Sequence, residues 1–348
     1  MIHNIHGFCL LLLLAWIAGC DNVHEFPGEN PADPSLVEID ITMNIDMRID
    51  LEIDMGVPAS DITRQTYASM LDGDYDVRYI IDIYEADDTK KNSVSNRVKR
   101  IVKTESEIPT AGEYHLDETI RLPVKKYRMI TWIDFVTKGT TTDKYYNTED
   151  LQKIAIILPN GTYQGYNSTR DAFTATVEMD LTPYRGQRYI QYEAVAEVVR
   201  PFAIYRIITT DIDEYKTYHQ TLSYASIQPN TTNVAYNLFF PMGYNAYLYA
   251  PDNFRAGIAY SYDITETAPE KEALLASDYV FVKDDTFYTI DFEILSSEKQ
   301  HINTVNGLRI NLKRNQVTTI RDEFLTKDLN DGKVGVDDRF TDEIIIRI

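Results

Sequence analysis

From Val37 to Met55 the chain alternates without a fault. Val37, Ile39, Ile41, Met43, Ile45, Met47, Ile49, Leu51, Ile53 and Met55 are apolar, and every even position from Glu38 to Asp54 is polar or charged. Period two puts all the apolar side chains on one face of a β-strand, whereas a helix would scatter them around its circumference. At roughly 3.3 Å per residue such a run would extend some 60 Å, about three times a typical strand. It must therefore bend between two sheets or run along more than one partner. Its polar face carries Glu38, Asp40, Asp46, Asp50, Glu52 and Asp54 against the one base Arg48, which opposes edge-to-edge aggregation.

The remainder keeps the same grammar. Arg78 to Glu85, Lys125 to Val136, Ile154 to Leu158, Ala172 to Leu181, Tyr189 to Val199, Ala203 to Thr209, Val234 to Phe240, Ala256 to Ile264, Tyr279 to Lys283, Thr286 to Leu295 and Gly307 to Leu312 are short β-branched or aromatic runs separated by Gly, Pro, Asn and Asp. Helical periodicity is confined to Asn147 to Lys153, behind Thr148 as a cap, and to Glu266 to Ala276 with Pro269 near its start. The pattern predicts an all-β chain of roughly 14 strands, more than the seven to nine that one antiparallel sandwich commonly holds. Two tandem sandwiches fit the 348 residues. The boundary falls at Arg200-Pro201, where a residue unable to donate to a sheet ladder precedes a new strand.

The N-terminus specifies export. Gly7 to Gly19 is uncharged and largely apolar, of signal-peptide length and too short to span a bilayer of roughly 30 Å comfortably. It ends in Ile17-Ala18-Gly19-Cys20, which looks like a bacterial lipobox. Cys20 is then the lipid-bearing residue of the mature chain, and its covalent acyl lipid is the only non-protein group expected. Asp21 to Leu36, with Pro27, Gly28, Pro31 and Pro34, reads as an extended tether. The expected division is thus signal and lipobox over 1–20, tether over 21–36, and sandwiches over 37–199 and 200–348. Nothing after Cys20 approaches 18 consecutive apolar residues.

Composition excludes several functions. A net charge of −20 repels a phosphate backbone, so nucleic acid is not an expected partner. Both cysteines, Cys9 and Cys20, lie in the first twenty residues, which leaves no Cys after Cys20 to form a disulfide, a thiolate metal site or a catalytic thiol. His24, His115, His219 and His301 are widely spaced, with no HExxH pair, no GxSxG elbow and no phosphate-binding loop. No catalytic or metal-binding residue is assigned. Asp328 to Asp338 resembles a calcium loop but is one residue short between Asn330 and Gly332, and an Asn-Asp-Gly turn explains it without an ion.

Several stretches resemble the fimbrillin-like lipoproteins of Bacteroidetes gut bacteria. They are Cys20-Asp-Asn-Val-His-Glu-Phe-Pro27, Trp132-Ile-Asp134, Arg200-Pro-Phe-Ala-Ile-Tyr-Arg-Ile-Ile-Thr-Thr210, Asp278-Tyr-Val-Phe-Val282 and Asn311-Leu-Lys-Arg-Asn-Gln-Val-Thr-Thr-Ile-Arg321. The resemblance implies two transthyretin-like β-sandwiches on a surface lipoprotein of the outer membrane, within a branch of unknown function related to fimbrial shaft, tip or anchor subunits. In polymerising relatives a protease cuts after a basic residue near the N-terminus, and a neighbour's strand fills the groove so freed. Arg48 and Arg64 are the candidate cut sites here, although Arg48 lies inside the alternating run, where pairing would hide it. Glu343 to Ile348 is a candidate donor strand or the last strand of its own sandwich.

Surface glycans are the alternative partner. Of 25 tyrosines, Tyr236, Tyr244, Tyr247, Tyr249, Tyr260 and Tyr262 cluster in the second half. Exposed rings of this kind stack on sugar faces and add directed hydroxyl bonds, while strand tyrosines also serve as ordinary sheet residues.

Overall fold

The computed structural model describes residues 36–46, 73–86, 96–106, 113–221, 227–267, 272–327 and 344–347. The first half contributes β1 (Leu36–Asp46), β2 (Tyr75–Glu85), β3 (Arg97–Glu105), β4 (Glu113–Pro123), β5 (Lys126–Thr137), β6 (Tyr146–Asn147), β7 (Ile154–Ile156), β8 (Ala172–Asp180) and β9 (Tyr189–Glu197). The second contributes β10 (Phe202–Thr209), the helix α1 (Ile212–Thr221), β11 (Pro229–Tyr236), β12 (Phe240–Asn245), β13 (Ala250–Arg255), β14 (Ala259–Asp263) and β15 (Thr265–Thr267). It ends with β16 (Glu272–Phe281), β17 (Thr286–Ser296), β18 (His301–Leu312), β19 (Gln316–Asp322) and β20 (Ile344–Arg347).

These strands build two sandwiches of one topology. The first packs β4-β1-β9 against β3-β2-β5-β8, and the second packs β16-β10-β19, extended by β15 and β20, against β14-β11-β17-β18. In both, the opening strand sits between an antiparallel and a parallel neighbour: β1 between β4 and β9, β10 between β16 and β19. The facing sheets use the same order and only antiparallel pairs. The chain is all-β in tandem sandwiches, as the strand grammar predicts, with one parallel pair in each.

Each sandwich has its own core, and a third core joins them. Ile39, Ile41, Met43 and Ile45 of β1 meet Tyr79, Ile81, Met129, Ile133 and Phe173 between the first two sheets. Tyr205, Ile207, Val234, Leu275, Phe292 and Ile310 occupy the second core. The third holds Ile80, Ile130 and Trp132 from the outer face of β2 and β5 together with Phe202, Ile204, Tyr244, Tyr279 and Phe281. That is why β2 and β5 read as continuous apolar runs: they are buried on both faces.

Two inserted hairpins brace the joint. β6–β7 interrupts the β5-to-β8 connection, β12–β13 interrupts the β11-to-β14 connection, and together they form the sheet β13-β12-β7-β6. The crossing pair matches Gly243 with Ala155 and Tyr244 with Ile154. A Cβ on Gly243 would lie 2.5 Å from the Ile154 carbonyl oxygen, so only glycine permits this approach.

The structure corrects several sequence expectations. Of the Val37–Met55 alternation, β1 takes residues up to Asp46, and Met47 to Met55 lie outside the described residues. The helix expected at Asn147–Lys153 is absent. Side chains claim its backbone instead: Arg100 and Arg97 donate to the carbonyls of Thr148 and Glu149, and the Thr148 amide donates to Asp143. The described part of Glu266–Ala276 is strand, because Ala273 and Leu274 pair with Thr209 and Ile208 in the middle of a sheet. Tertiary pairing overrides helix propensity there. The helix that does form, α1, carries Asp213 and Glu214 in its first turn, where acids suit the dipole. Val234–Phe240 is not one strand: β11 ends at Tyr236 and β12 begins at Phe240.

Candidate functional site

β1 is the strand on which the first sandwich depends. Val37, Ile39, Ile41, Met43 and Ile45 are each at most 4% exposed, and at about 2 kcal/mol per buried side chain their withdrawal from water stabilises the sandwich by roughly 10 kcal/mol. Eleven residue pairs tie β1 to β4 and nine tie it to β9. A cut on the far side of β1 would therefore not release it unless another strand took its place.

The outer face of this sheet is a polar ladder centred on β1. Arg121 donates to Glu38 at 2.8 Å, Thr119 to Asp40 at 2.7 Å and Thr42 to Asp117 at 2.7 Å. Toward β9, the Asn44 amide donates to Glu193 at 2.8 Å and the Tyr189 hydroxyl donates to Asp40. The hydroxyls of Thr119 and Tyr189 hold the Asp40 carboxyl below its usual range, and the Asp40 carboxylate in turn raises Tyr189. His115 meets Asn44 at 2.5 Å. An open trough of about 810 Å³ runs along the ladder, lined by Asp40, Thr42, Asp117, Thr119, Gln191 and Glu193. Tyr189, 47% exposed, stands on the same face.

The second constellation is the seam, built from buried arginine–aspartate pairs. Arg78 grips Asp134 with two bonds of 2.8 and 2.7 Å and reaches Asp143 at 2.7 Å. Arg200 does the same to Asp171 at 2.7 and 2.6 Å and touches Asn315 at 3.3 Å, so the junction residue is bound to both halves. Arg170, from the β7-to-β8 connection, enters the second sandwich and lies 3.6 Å from Asp278 of β16. Tyr163 and Tyr236 donate to the same carboxylate at 2.7 and 2.8 Å. Burial nevertheless pushes Asp278 up to about 6, outweighing Arg170 and these hydroxyls. Burial likewise raises Asp134 despite Arg78, whereas at half-buried Asp143 the bonds from Thr148 and Arg78 win and the carboxyl is lowered.

The sequence candidates fall as follows. Cys20, His24, Arg48, Arg64 and the Asp328–Asp338 loop lie outside the described residues, as does most of the tether. His115, His219 and His301 sit on three separate elements, β4, α1 and β18. Among the described residues no group of three or more His, Cys, Asp or Glu is placed to hold a metal ion. No described helix is long and apolar enough to cross a membrane.

The tyrosines offered as sugar platforms are not free rings. Tyr236, Tyr244 and Tyr260 are buried. Tyr205 bridges the hydroxyls of Tyr236 and Tyr260 at 3.1 and 2.6 Å. Tyr247 and Tyr249 are half-buried under Arg128 and Arg314. Tyr249 adopts φ 50°, a left-handed conformation that costs a non-glycine residue of order 1 kcal/mol. Its hydroxyl thereby accepts the Thr176 amide at 2.6 Å on the edge of β8. A side chain thus caps an edge that would otherwise invite pairing.

The sequence reading passed over the seam, although a signal for it was present. Asp134 and Asp278 each interrupt an apolar run, and an acid in such a run demands a buried cationic or hydroxyl partner.

Two sandwiches of one strand order, joined by a shared core and buried ion pairs, define a tandem β-sandwich protein. The chain belongs to a family of unknown function (DUF6562), whose model matches residues 37–348. Among solved structures, a candidate adhesin from Bacteroides ovatus is similar at 10% identity with a TM-score of 0.41, covering 82% of this chain and 88% of that one. A candidate polysaccharide-binding protein (DUF1812) from Bacteroides thetaiotaomicron is similar at 10% identity and 0.43, covering 78% and 80%. The fimbrial anchor protein Mfa2 from Porphyromonas gingivalis is similar at 10% identity and 0.40, covering 77% and 82%. No curated protein matches the sequence.

Proposed function

We propose that the protein is a non-enzymatic surface lipoprotein, attached to the outer membrane through Cys20, that serves as a structural or adhesive subunit of a fimbria-like assembly. The observation that carries this reading is the place of β1. The first strand after the lipobox and tether is the central strand of its sheet, with a ladder on each side and five side chains in the core. In this reading the sandwiches of 37–199 and 200–348 stand above the tether; an uncleaved subunit keeps β1 and its lipid, whereas cleavage after Arg48 or Arg64 would release a subunit from Cys20 and let another subunit's strand replace β1. In the host, wild-type protein should partition with outer-membrane lipid and Cys20→Ser should be lost from that fraction entirely. Unboiled samples should run as a ladder that heating collapses to one band. Wild-type protein that fractionates like Cys20→Ser would end the anchored reading, and a single band in both lanes would end polymerisation.

The trough beside Tyr189 favours a second reading, binding of surface glycans by the outer face of the first sheet. There carboxylates and amides offer hydrogen bonds around an exposed ring. A saccharide retained by the wild type should then be released at least tenfold more easily by Tyr189→Ala, and a broad panel without any binder would dismiss the idea.

A further inference from the structure

A pull between the N-terminal end and the second sandwich enters and leaves the first sandwich by two neighbouring strands. β1 runs parallel to β9, and β9 leads straight into the Arg200-Pro201 junction. Leu36 therefore lies at the end of the first sandwich opposite the junction. Tension on Leu36 draws β1 backwards while tension on the junction draws β9 forwards. The two strands must then slide along each other, so that all their hydrogen bonds resist together. When two adjacent strand ends are pulled apart instead, the bonds open one after another and each bears the whole force alone.

We propose that the parallel β1–β9 pair is a tension clamp that lets this protein carry pulling force from its membrane-side end to its far pole. The proposal deepens the anchored reading, concerns the uncleaved chain that keeps β1, and rests on that reading only for the direction of the pull. Nine residue pairs, from Glu38–Tyr189 to Asp46–Glu197, form the ladder. Side-chain ties cross it from Asn44 to Glu193 and from Tyr189 to Asp40. Beyond the ladder the path stays continuous. Val199 and Thr174 exchange two backbone bonds of 2.9 Å, Arg200 holds Asp171, and the Val282 and Asn315 amides donate to the carbonyls of Pro201 and Phe202. The second sandwich repeats the arrangement, with β10 parallel to β19 from Ile204–Val317 to Thr209–Asp322. The braced seam, with its β7–β12 pairing, keeps the two clamps from hinging.

The test is single-molecule pulling of the mature chain, Cys20 to Ile348, made without lipid so that the Cys20 thiol takes one handle. A second thiol is supplied by Glu197→Cys, at the exposed junction end of β9, or by Lys125→Cys, in the exposed turn beside Leu36. The first pair of handles shears β1 against β9, and the second peels β1 from its neighbours one residue pair at a time. The expected result is a rupture force several-fold higher for the first pair, and one that Glu193→Ala lowers by more than it lowers the second. Equal forces in the two geometries, or a Glu193→Ala effect confined to the peeling pair, would overturn the clamp. Absence of lipid on Cys20 in the host together with a high shear force would remove the anchored reading and leave the clamp standing. Lipid on Cys20 with equal forces would remove the clamp alone.

Discussion

Replacing Trp132 by alanine will cost the protein about 3–5 kcal/mol and separate the unfolding of its two sandwiches. Trp132 is fully buried in the third core, edge-on to Tyr146 at 5.4 Å and tilted against Tyr244 at 6.4 Å, and its indole N–H donates to Asp134 at 3.2 Å. Tyr244 comes from the inserted hairpin of the second sandwich, so the alanine opens a void at the one place where both halves share a core. The wild type should melt in a single calorimetric transition and Trp132→Ala in two. Trp132→Phe, which keeps a ring but loses the donor, should fall between them. Trp16 precedes Cys20, and Trp132 is the only tryptophan after it. Its fluorescence therefore reports the seam directly in the wild type. A single transition in Trp132→Ala, shifted without splitting, would show that the shared core adds stability without coupling the halves.

Arg170→Met should be nearly as damaging, and in a way that depends on pH. The substitution keeps an apolar stem of similar length but leaves Asp278 buried without its cation, a loss of about 3–5 kcal/mol at neutral pH. The sign of the pH effect follows from Asp278 itself. Its folded-state value of about 6 lies above the ordinary 3.8, so the folded protein binds a proton that the unfolded chain has already released. The stability that this proton confers is complete below about pH 4 and disappears as the pH rises to about 6. Acidification from pH 7 to pH 5 should thus favour the wild type, through this group, by on the order of 1 kcal/mol. In Arg170→Met the aspartate will hold its proton more tightly still, and the deficit should shrink markedly over the same interval. Asp278→Asn should abolish the pH-dependent part in either background. Denaturant titrations of the four proteins at pH 7 and pH 5 measure all of this, and a deficit of Arg170→Met that is constant with pH would exclude an ionised Asp278 as its source.

The sequence made the sheets legible because one-sided burial writes itself as alternation. β1 is the clearest case, its odd residues inside and its even residues on the ladder. Two-sided burial was legible only as apolar runs, which is why β2 and β5 could be placed while the element lying over their outer face could not. Of the bracing hairpins β7 was legible in the Ile154–Leu158 run, while β6, with two residues, is too short for any periodicity to register. The repeat of one strand order escaped for a different reason. Topology depends on which strands pair, and pairing here joins residues far apart in the chain, while local pattern reports only the burial of each strand. At the site, the chemistry of Asp134 and Asp278 was foreshadowed by acids inside apolar runs, but Arg170 stands in a stretch that looks like an ordinary polar connection and Arg78 looks like the solvated start of its strand run.

The parallel pairing of β1 also sets a timetable for the newborn chain. Asp40 and its partner Tyr189 are separated by 149 residues, so the strand that leads the folded body in synthesis must wait for one made near the end of the first half. Until then β1 has a ladder partner on one side only, β4, and its other edge stays open. Contacts of such long range slow folding and prolong the exposure of sticky intermediates. The six acids among residues 37–55 should matter most in that interval, since mutual repulsion keeps waiting chains from pairing with one another before their own ninth strand arrives.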